Sequence, residues 1–344
     1  MKKKFLLLLL AVSAFTLASK AQDTVKTTSD APLVVSGTVD TYFKSDFSGH
    51  NNIPTYFANE NNSVSIGMVD LALKKKVGKA AFVGEVSFGP RSDSALPSGS
   101  AGYHIQNLYV SLDLSDKFNL TAGYMGTFVG YEVISPAANF NYSTSYLFSY
   151  GPFQNAGLKA TYAFSDKVSL MAGIFNNYWN VYSSINSGLT GPGDVSTFGA
   201  QLMVAPAKGW TAYLNLITGS YSGTEFDLTT AYQITDAFKL GVNAADFSGP
   251  NSSGGFSGVA LYPQLAVSKT VTFGLRGEYF KVKNGGGDVT GITITSNIKA
   301  GPLTIIPEFR FDNKSTDFIT PFTDSNNAAT NSAGQFVLAA VYAF

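Results

Sequence analysis

Apolar and polar residues alternate through most of this chain, so that residues of one kind recur at every second position. This period of two constrains the fold more than any other feature of the sequence. In the clearest stretch the two faces read Leu303, Ile305, Pro307, Phe309 and Phe311 against Thr304, Ile306, Glu308, Arg310 and Asp312. A helix would scatter Glu308 and Arg310 among the apolar residues, whereas a strand puts them on one side. Residues 35–44 and 225–234 alternate in the same way. The sequence therefore predicts an all-β protein.

Short turns and longer connections follow one another between these strands. Short turns are predicted at residues 74–79, 115–117, 165–167, 206–209, 235–237, 268–270 and 300–302. The recognisable longer connections are rich in Gly, Asn, Ser and Pro and cover residues 48–60, 90–102, 130–153, 183–193, 249–255 and 313–332. Seven short turns with eight long connections imply about sixteen strands, and short turns at one end with long loops at the other are typical of outer-membrane barrels.

Composition separates a membrane barrel from a soluble β-protein. Charged residues make up 13% of the chain and aromatic residues 14%, whereas globular proteins carry about 25% charged residues. A soluble β-protein would need more charge on its outer faces. No stretch after the first residues is apolar enough to be a spanning helix. We therefore predict one domain, residues 34–344, folded as a transmembrane antiparallel up-and-down β-barrel.

The first residues have the pattern of a secretory signal. Lys2, Lys3 and Lys4 precede an apolar run, and Ser19 and Ala21 place small residues at the two positions that a signal peptidase reads, which predicts cleavage after Ala21. The apolar run is too short for a spanning helix, which needs about 20 residues. We predict a signal peptide at residues 1–21 and a short periplasmic leader at residues 22–33. The chain has no Cys, which excludes disulfides, a lipid-modified Cys and Cys-based metal sites.

The charge balance points away from nucleic acid. The whole sequence has 23 basic and 23 acidic side chains. Removal of four lysines with the signal peptide leaves 19 basic against 23 acidic side chains, a formal net charge of −4. This mildly acidic balance excludes a nucleic-acid-binding surface and predicts a weak preference for cations in any pore.

Residues 130–153 form one of the longest stretches that have neither the alternation of a strand nor the length of a tight turn. It is crowded with aromatic residues, Asn and Ser, contains Pro136 and Pro152, and has Glu132 as its only charge. Long loops in repetitive hairpin arrays are usually functional or disordered, and the aromatic density argues against disorder. We predict that residues of about 131–150 fold inward and narrow the barrel lumen. An ordered surface loop without that role is the alternative.

Charged strand residues are expected on the water-filled side of the wall, because an Arg or Lys facing lipid near the midplane costs about 2–4 kcal/mol. The residues predicted to line the pore or its constriction are Asp40, Lys44, Glu85, Glu132, Lys159, Arg276, Glu278, Glu308 and Arg310. They would create a transverse field on passing solutes. Alternatively, interior pairs such as Arg276 with Glu278 would merely fill the lumen.

No motif for catalysis or metal binding stands out. His50 and His104 lie in or beside long connections, without the spaced carboxylates of a metal site. The Gly-rich residues 285–288 lack the Lys and the helix of a phosphate-binding loop. We predict no enzyme activity, cofactor or metal. Two rival hypotheses remain: an enzyme with a Ser and His104 at the barrel rim, and an adhesive or structural barrel with a closed lumen.

The final stretch places Phe336, Leu338, Ala340, Tyr342 and Phe344 on one face. This pattern, ending in an aromatic residue, resembles the signature by which the barrel-assembly machinery recognises outer-membrane proteins. We therefore predict that machinery as a partner, acting through Phe344.

Several short segments of the sequence resemble those of the OmpL-like β-barrel porins of Bacteroidetes. They are TFVGYE at 127–132, NYS at 141–143, SYLFSYGPF at 145–153, GLK at 157–159 and GTVDTY at 37–42. The resemblance implies a porin in the outer membrane of a Gram-negative bacterium. The expected function is passive diffusion of small hydrophilic solutes. The expected partners are the lipid bilayer, lipopolysaccharide and those solutes, with a possible homotrimer.

Overall fold

A computed structural model describes residues 32–95, 104–176 and 194–344. The predicted signal peptide, residues 22–31 of the predicted leader and the predicted connection at 183–193 lie outside the described residues. So do residues 96–102 of the connection predicted at 90–102.

The chain forms a closed antiparallel barrel, which confirms the predicted fold class. Its first eight strands are β1 (Val34–Asp46), β2 (Val64–Val77), β3 (Ala80–Phe88), β4 (Ile105–Ser115), β5 (Phe118–Gly126), β6 (Gln154–Ala163), β7 (Val168–Phe175) and β8 (Thr197–Val204). The other eight are β9 (Trp210–Gly219), β10 (Gly223–Gln233), β11 (Phe238–Ser248), β12 (Gly255–Ala266), β13 (Val271–Val282), β14 (Asp288–Ala300), β15 (Leu303–Lys314) and β18 (Ser332–Ala343). Each strand pairs with its neighbours in the chain, and β18 closes the barrel on β1.

Little other regular structure occurs among the described residues. Two short strands, β16 (Phe322–Thr323) and β17 (Ala329–Thr330), pair as a separate hairpin. Two short helices, α1 (Pro90–Ala95) and α2 (Tyr146–Tyr150), lie in connections. Within the described ranges, no helix is both long enough and apolar enough to cross a membrane.

The seam between β1 and β18 is a regular antiparallel ladder. Its register runs from Thr38 opposite Ala343 to Asp46 opposite Gln335. Beyond it, Gly37 and Phe344 exchange two backbone hydrogen bonds of 3.0 Å. Closure leaves no unpaired edge, which a barrel in lipid requires because hydrocarbon offers no alternative hydrogen-bond partner.

Side chains alternate across the wall as the sequence predicts. In β1 the side chains of Asp40, Tyr42 and Lys44 are buried inside the barrel, whereas Val39 and Thr41 are exposed. In β14 the apolar residues Ile292 and Ile294 are exposed on the outer surface and Thr293 between them is buried. The strands therefore present an apolar band outward and polar residues inward, as in membrane barrels.

The short turns all lie at one end, but one predicted boundary is wrong. The turn expected at 74–79 is shorter, because β2 continues through Lys74, Lys75 and Lys76 to Val77. Only Gly78 and Lys79 separate β2 from β3. Gly78 has φ +56°, a conformation that favours Gly and allows the tight turn.

Not every connection at the opposite end is long. Residues 220–222 join β9 to β10, because the ladder between these strands continues until Gly219 faces Gly223. Residues 283–287 join β13 to β14 over a similarly short distance. The sequence-based expectation that all connections at this end are long is wrong at these two places.

Candidate pore interior

The connection from β5 to β6, residues 127–153, is called the inner segment here. It contains a 3₁₀ turn at Pro136–Ala138 and helix α2. Tyr142 and Tyr146 have no exposed surface, and Leu147 and Phe148 are also buried. Tyr142 packs against Tyr42 of β1 and Tyr146 against Phe280 of β13, whereas Phe148 packs against Phe57 of the loop after β1. The inner segment is therefore packed against the barrel interior rather than standing on its outer surface.

Two glutamates of the wall accept hydrogen bonds from the backbone of the inner segment. Glu308 on β15 accepts from the N–H groups of Tyr142 at 2.8 Å and Ser143 at 3.0 Å. Glu278 on β13 accepts from those of Tyr146 at 3.0 Å and Leu147 at 2.8 Å. Bonds to a charged acceptor are stronger than neutral ones. They also satisfy backbone donors that would be costly to bury unpaired.

Arg276 on β13 links the inner segment to the wall by an ion pair. Its Nη1 lies 2.7 Å from Glu132 Oε1 and donates at 2.6 Å to the carbonyl of Ser143. Its Nη2 donates to Thr293 Oγ1 on β14 at 3.1 Å. Among the described residues the partner of Arg276 in an ion pair is Glu132, and not Glu278 as the neighbouring positions in sequence suggested.

Arg310 on β15 forms a second anchor. Its Nε and Nη2 each donate to the carboxylate of Asp312 at 2.9 Å, a two-bond arrangement that fixes the guanidinium plane. The remaining Nη1 donates to the carbonyl of Thr144 at 2.7 Å. Tyr146 completes the contact, because its hydroxyl donates to Asp312 at 2.7 Å and its ring lies below the Arg310 guanidinium.

The inner segment is also attached to β1 and β2, through Tyr142 and Ser135. The Tyr142 hydroxyl donates to Asp40 on β1, and the Tyr142 ring packs against Tyr42 with centroids 5.6 Å apart. Burial raises the pKa of Tyr142 well above its ordinary value, so the hydroxyl keeps the proton that it donates. Ser135 Oγ donates at 2.9 Å to Asp70 on β2. The inner segment thus contacts both β13–β15 and β1–β2, which only β18 separates in the closed sheet.

Two glycines of the wall leave space for aromatic side chains of the inner segment. A Cβ on Gly241 of β11 would lie 2.2 Å from the Tyr131 hydroxyl oxygen. A Cβ on Gly274 of β13 would lie 2.1 Å from a ring carbon of Phe140. Both distances are far below van der Waals contact, so only Gly permits these aromatic rings to lie against the wall.

Other connections at the same end cover the inner segment. The loop after β1 contributes Phe57, and the Arg91 guanidinium of α1 lies 4.2 Å from the Phe57 ring centroid. Arg91 Nε also donates to the carbonyl of Ile134 at 2.6 Å. Phe318, from the loop after β15, packs edge-on against Tyr146. The inner segment is therefore held by the other connections at this end of the barrel as well as by the barrel strands.

A cavity of about 960 Å³ lies next to the inner segment. One side is formed by inner-segment residues such as Tyr131 and Phe140, and another by residues at the short-turn end such as Gly209 and Pro302. Tyr131 stacks on Tyr262 of β12, with ring centroids 4.4 Å apart, at the cavity surface. Charged side chains lining it are Lys159, Lys239, Lys299 and Glu132.

The sequence-predicted pore residues divide between this cavity and the anchors. Glu132 and Lys159 line the cavity. The other predicted residues do not line it and are largely buried: Asp40, Lys44, Glu85, Arg276, Glu278, Glu308 and Arg310. Lys44 donates to Asn51 of the loop after β1, and Glu85 accepts from Asn107 at 2.6 Å. Their role in conduction stays a prediction.

Several residues of this interior were not among the pore residues predicted from sequence. Asp70, Asp312, Lys239 and Lys299 are on inward-facing strand positions, which the alternation of their own strands could have revealed. Arg91 lies in α1 within a long connection, where no periodic signal indicates a direction.

Comparison with known proteins identifies the family. A family model described as "Putative beta-barrel porin-2, OmpL-like" matches residues 32–344. This chain belongs to that family. It is accordingly a porin of the Gram-negative outer membrane, as the sequence resemblance implied. None of the curated proteins matches the sequence.

Solved porin structures share the fold at low sequence identity. Vibrio cholerae OmpT is 13% identical with a TM-score of 0.55, covering 91% of this chain and 97% of that chain. Pseudomonas putida OprB is 11% identical with a TM-score of 0.61, covering 91% and 94%. A mutant of Rh. blastica porin is 14% identical with a TM-score of 0.53, covering 91% and 100%. At these identities the likeness concerns the fold.

Proposed function

We propose that this porin is a passive diffusion channel for small hydrophilic solutes, and that its inner segment sets the size limit. The observation that carries the proposal is the attachment of the inner segment to opposite walls. Asp227 on β10 accepts from the Gly130 N–H at 3.1 Å, and Asp70 on β2, on the other side of the closed sheet, accepts from Ser135 Oγ at 2.9 Å. A sixteen-stranded barrel is too wide for side chains alone to fill. A segment fixed across it reduces the width available to solutes.

The attachments support a rigid constriction. Ordering a loop costs about 1–2 kcal/mol per residue of backbone entropy. Each hydrogen bond to a charged group returns about 1.5–3 kcal/mol, and the buried aromatic rings of Tyr142 and Tyr146 add apolar burial. A segment stabilised in this way keeps one position while solutes pass beside it. The cavity volume of about 960 Å³ suits solutes of the size of small sugars and similar molecules.

Deletion of residues 137–144 tests the size limit. The deletion removes Tyr142 and Ser143 and thus the bonds to Asp40 and Glu308. We expect higher single-channel conductance in planar bilayers and faster liposome swelling with larger sugars. The matched control deletes residues 325–327 at the tip of the β16–β17 hairpin, which do not line the cavity.

Retained heat-modifiability on gels would show that the deletion variant is folded. If that folded variant conducts like the control, the inner segment does not limit passage, and the alternative of an ordered loop without a pore role would replace the proposal.

We propose no catalytic role for the barrel rim. The Nδ1 of His104 lies 3.1 Å from the carbonyl oxygen of Ser87, and its ring packs on Phe88 with centroids 4.3 Å apart. Among the described residues, no group of three or more His, Asp or Glu side chains could hold a metal ion. Ester hydrolysis that disappears in a His104→Ala variant would contradict this view.

A homotrimer in a bilayer with lipopolysaccharide is the assembly we propose. The exposed apolar band of the strands supports contact with lipid and with other copies. The OmpT of Vibrio cholerae has been solved in a trimer form. A monomeric mass for the detergent-solubilised protein under native conditions would rule out the trimer.

A further inference from the structure

The charged side chains that line the cavity are unbalanced. Three are lysines, Lys159 on β6, Lys239 on β11 and Lys299 on β14, and one is the acid Glu132. None of the three lysines takes part in an ion pair among the described residues. The lining therefore has an excess of positive charge that no neighbouring carboxylate cancels.

Glu132 does not offset this excess, because its charge is already compensated. One carboxylate oxygen pairs with Arg276 at 2.7 Å, and the other accepts from the backbone N–H and the hydroxyl of Ser145, each at 2.7 Å. Both side chains of the ion pair are almost fully buried, with 1% and 4% exposure. Glu132 and Arg276 together contribute no net charge to the lining.

The three lysines are spread along the path from the inner segment to the short-turn end. Lys159 lies in the middle of β6, opposite Thr121 of β5 and Gly173 of β7. Lys239 is the second residue of β11, and Lys299 is next to the last residue of β14. A solute that passes between the short-turn end of the barrel and the inner segment meets Lys239 and Lys299 near the short turns and Lys159 deeper in the lumen.

The acids that hold the inner segment do not add negative charge to the cavity lining. Asp40, Glu278 and Glu308 lie outside the cavity lining and accept hydrogen bonds from the inner segment. Residues 96–103 and 177–193 contain no Asp, Glu, Lys or Arg in the sequence, so they add no charge to the balance.

We propose that this cavity makes the porin selective for small anionic solutes, such as those carrying a carboxylate or phosphate group, with Lys159 as the main selectivity-determining residue. The inference rests on the proposed diffusion function and deepens it. Unpaired positive charges along a narrow lumen with low-dielectric walls concentrate anions and repel cations. This outcome is opposite to the weak cation preference that the net charge of −4 predicts, so one measurement separates the two.

The measurement is the reversal potential of the wild-type channel in planar bilayers under a KCl gradient, at ionic strength below physiological, where screening is weak. We expect a chloride permeability greater than that of potassium. Lys159→Gln should lower the chloride-to-potassium ratio by roughly twofold to fivefold, the range expected for one charge a few ångströms from the ion path. The triple variant Lys159→Gln, Lys239→Gln and Lys299→Gln should remove the preference. Lys269→Gln, at a short turn outside the lining, should leave the ratio unchanged.

Other results would contradict either the anion selectivity alone or the diffusion channel as well. A conducting wild type that prefers potassium, or a folded triple variant with the wild-type ratio, would overturn the anion-selective cavity and leave the diffusion channel intact. A folded wild type that conducts nothing would overturn the diffusion channel and, with it, this inference. Heat-modifiability of every variant on gels establishes the fold independently of conductance.

Discussion

Arg276 shows what a buried charge does inside this barrel. Its guanidinium joins the β13 wall, the β14 residue Thr293 and two parts of the inner segment, Glu132 and Ser143. Removal of one member of a buried ion pair costs about 3–5 kcal/mol, because the other charge stays buried without compensation. The attachment of the inner segment should therefore be more sensitive to Arg276 than the barrel ladder is.

Replacing Arg276 with Met should loosen the inner segment. We expect a lower urea midpoint, corresponding to about 3–5 kcal/mol, together with larger current fluctuations in single-channel recordings. The double variant Glu132→Gln and Arg276→Met removes both charges and should recover a large part of that loss. A double variant as unstable as Arg276→Met alone would show that the pair's charges are not the cause.

The alternation of the strands could indicate the direction of a charged residue but not its partner. Asp40, Lys44 and Glu308 point inward as the period of two predicts. Asp40 accepts from the Met68 N–H of the neighbouring strand, but its side-chain partner is Tyr142, 102 positions away in the chain. That contact depends on the path of a loop that has no period, so nothing local in the sequence specifies it. For the same reason the inward charges looked free to line water, although the anchors occupy most of them.

At the level of elements, the strands and the inner segment have complementary shapes. β13 contains two glycines, Gly274 and Gly277, with different surroundings. Gly274 faces inward against Phe140, where a Cβ has no space. On Gly277 of the same strand, the nearest atom to a Cβ would be a Leu275 carbon at 3.9 Å, an ordinary contact. The two positions therefore provide a matched pair for substitution.

Replacing Gly274 with Val should push Phe140 off the wall and into the cavity that it lines. We expect lower single-channel conductance and a destabilisation of about 1–3 kcal/mol, as is usual for overpacking. Gly277→Val, as the control, should change neither. The double variant Gly274→Val and Phe140→Ala removes the clash and should restore conductance to the wild-type value or above. Equal conductance in Gly274→Val and the control would place Phe140 outside the conduction path.

The elements were predictable from sequence wherever the period of two holds. The β15 and β10 stretches have the faces that their residues predicted. The end of β2 was not predictable in this way, because the three successive lysines Lys74, Lys75 and Lys76 resembled a turn. Lys side chains can extend along an apolar surface with the charge in water, so a basic run can continue a strand near the membrane boundary. The conformation of the inner segment was not predictable, since it follows from contacts with many strands that are distant in sequence rather than from local pattern.

The whole molecule combines an apolar outer surface with a polar interior, and this arrangement predicts a depth dependence on the outer face. Ile294 and Ile298 both point outward from β14 and are exposed to similar extents, 48% and 40%. Ile294 is central in the strand Asp288–Ala300, whereas Ile298 faces Val271, the first residue of β13 after a short turn. Four residues of a strand separate them by about 13 Å.

Arginine at these two positions should have unequal effects on a barrel in a bilayer. Ile294→Arg places a charge near the middle of the hydrocarbon and should destabilise the protein by about 2–4 kcal/mol. Ile298→Arg places the same charge close to the headgroups, where the cost falls to about 0–1 kcal/mol. Reversible urea unfolding in liposomes measures both, with the wild type as reference. Equal losses for the two variants would mean that Ile294 does not lie near the midplane. Losses within about 1 kcal/mol of zero for both would mean that this face of β14 does not contact lipid, as it would not at an interface between copies of the chain.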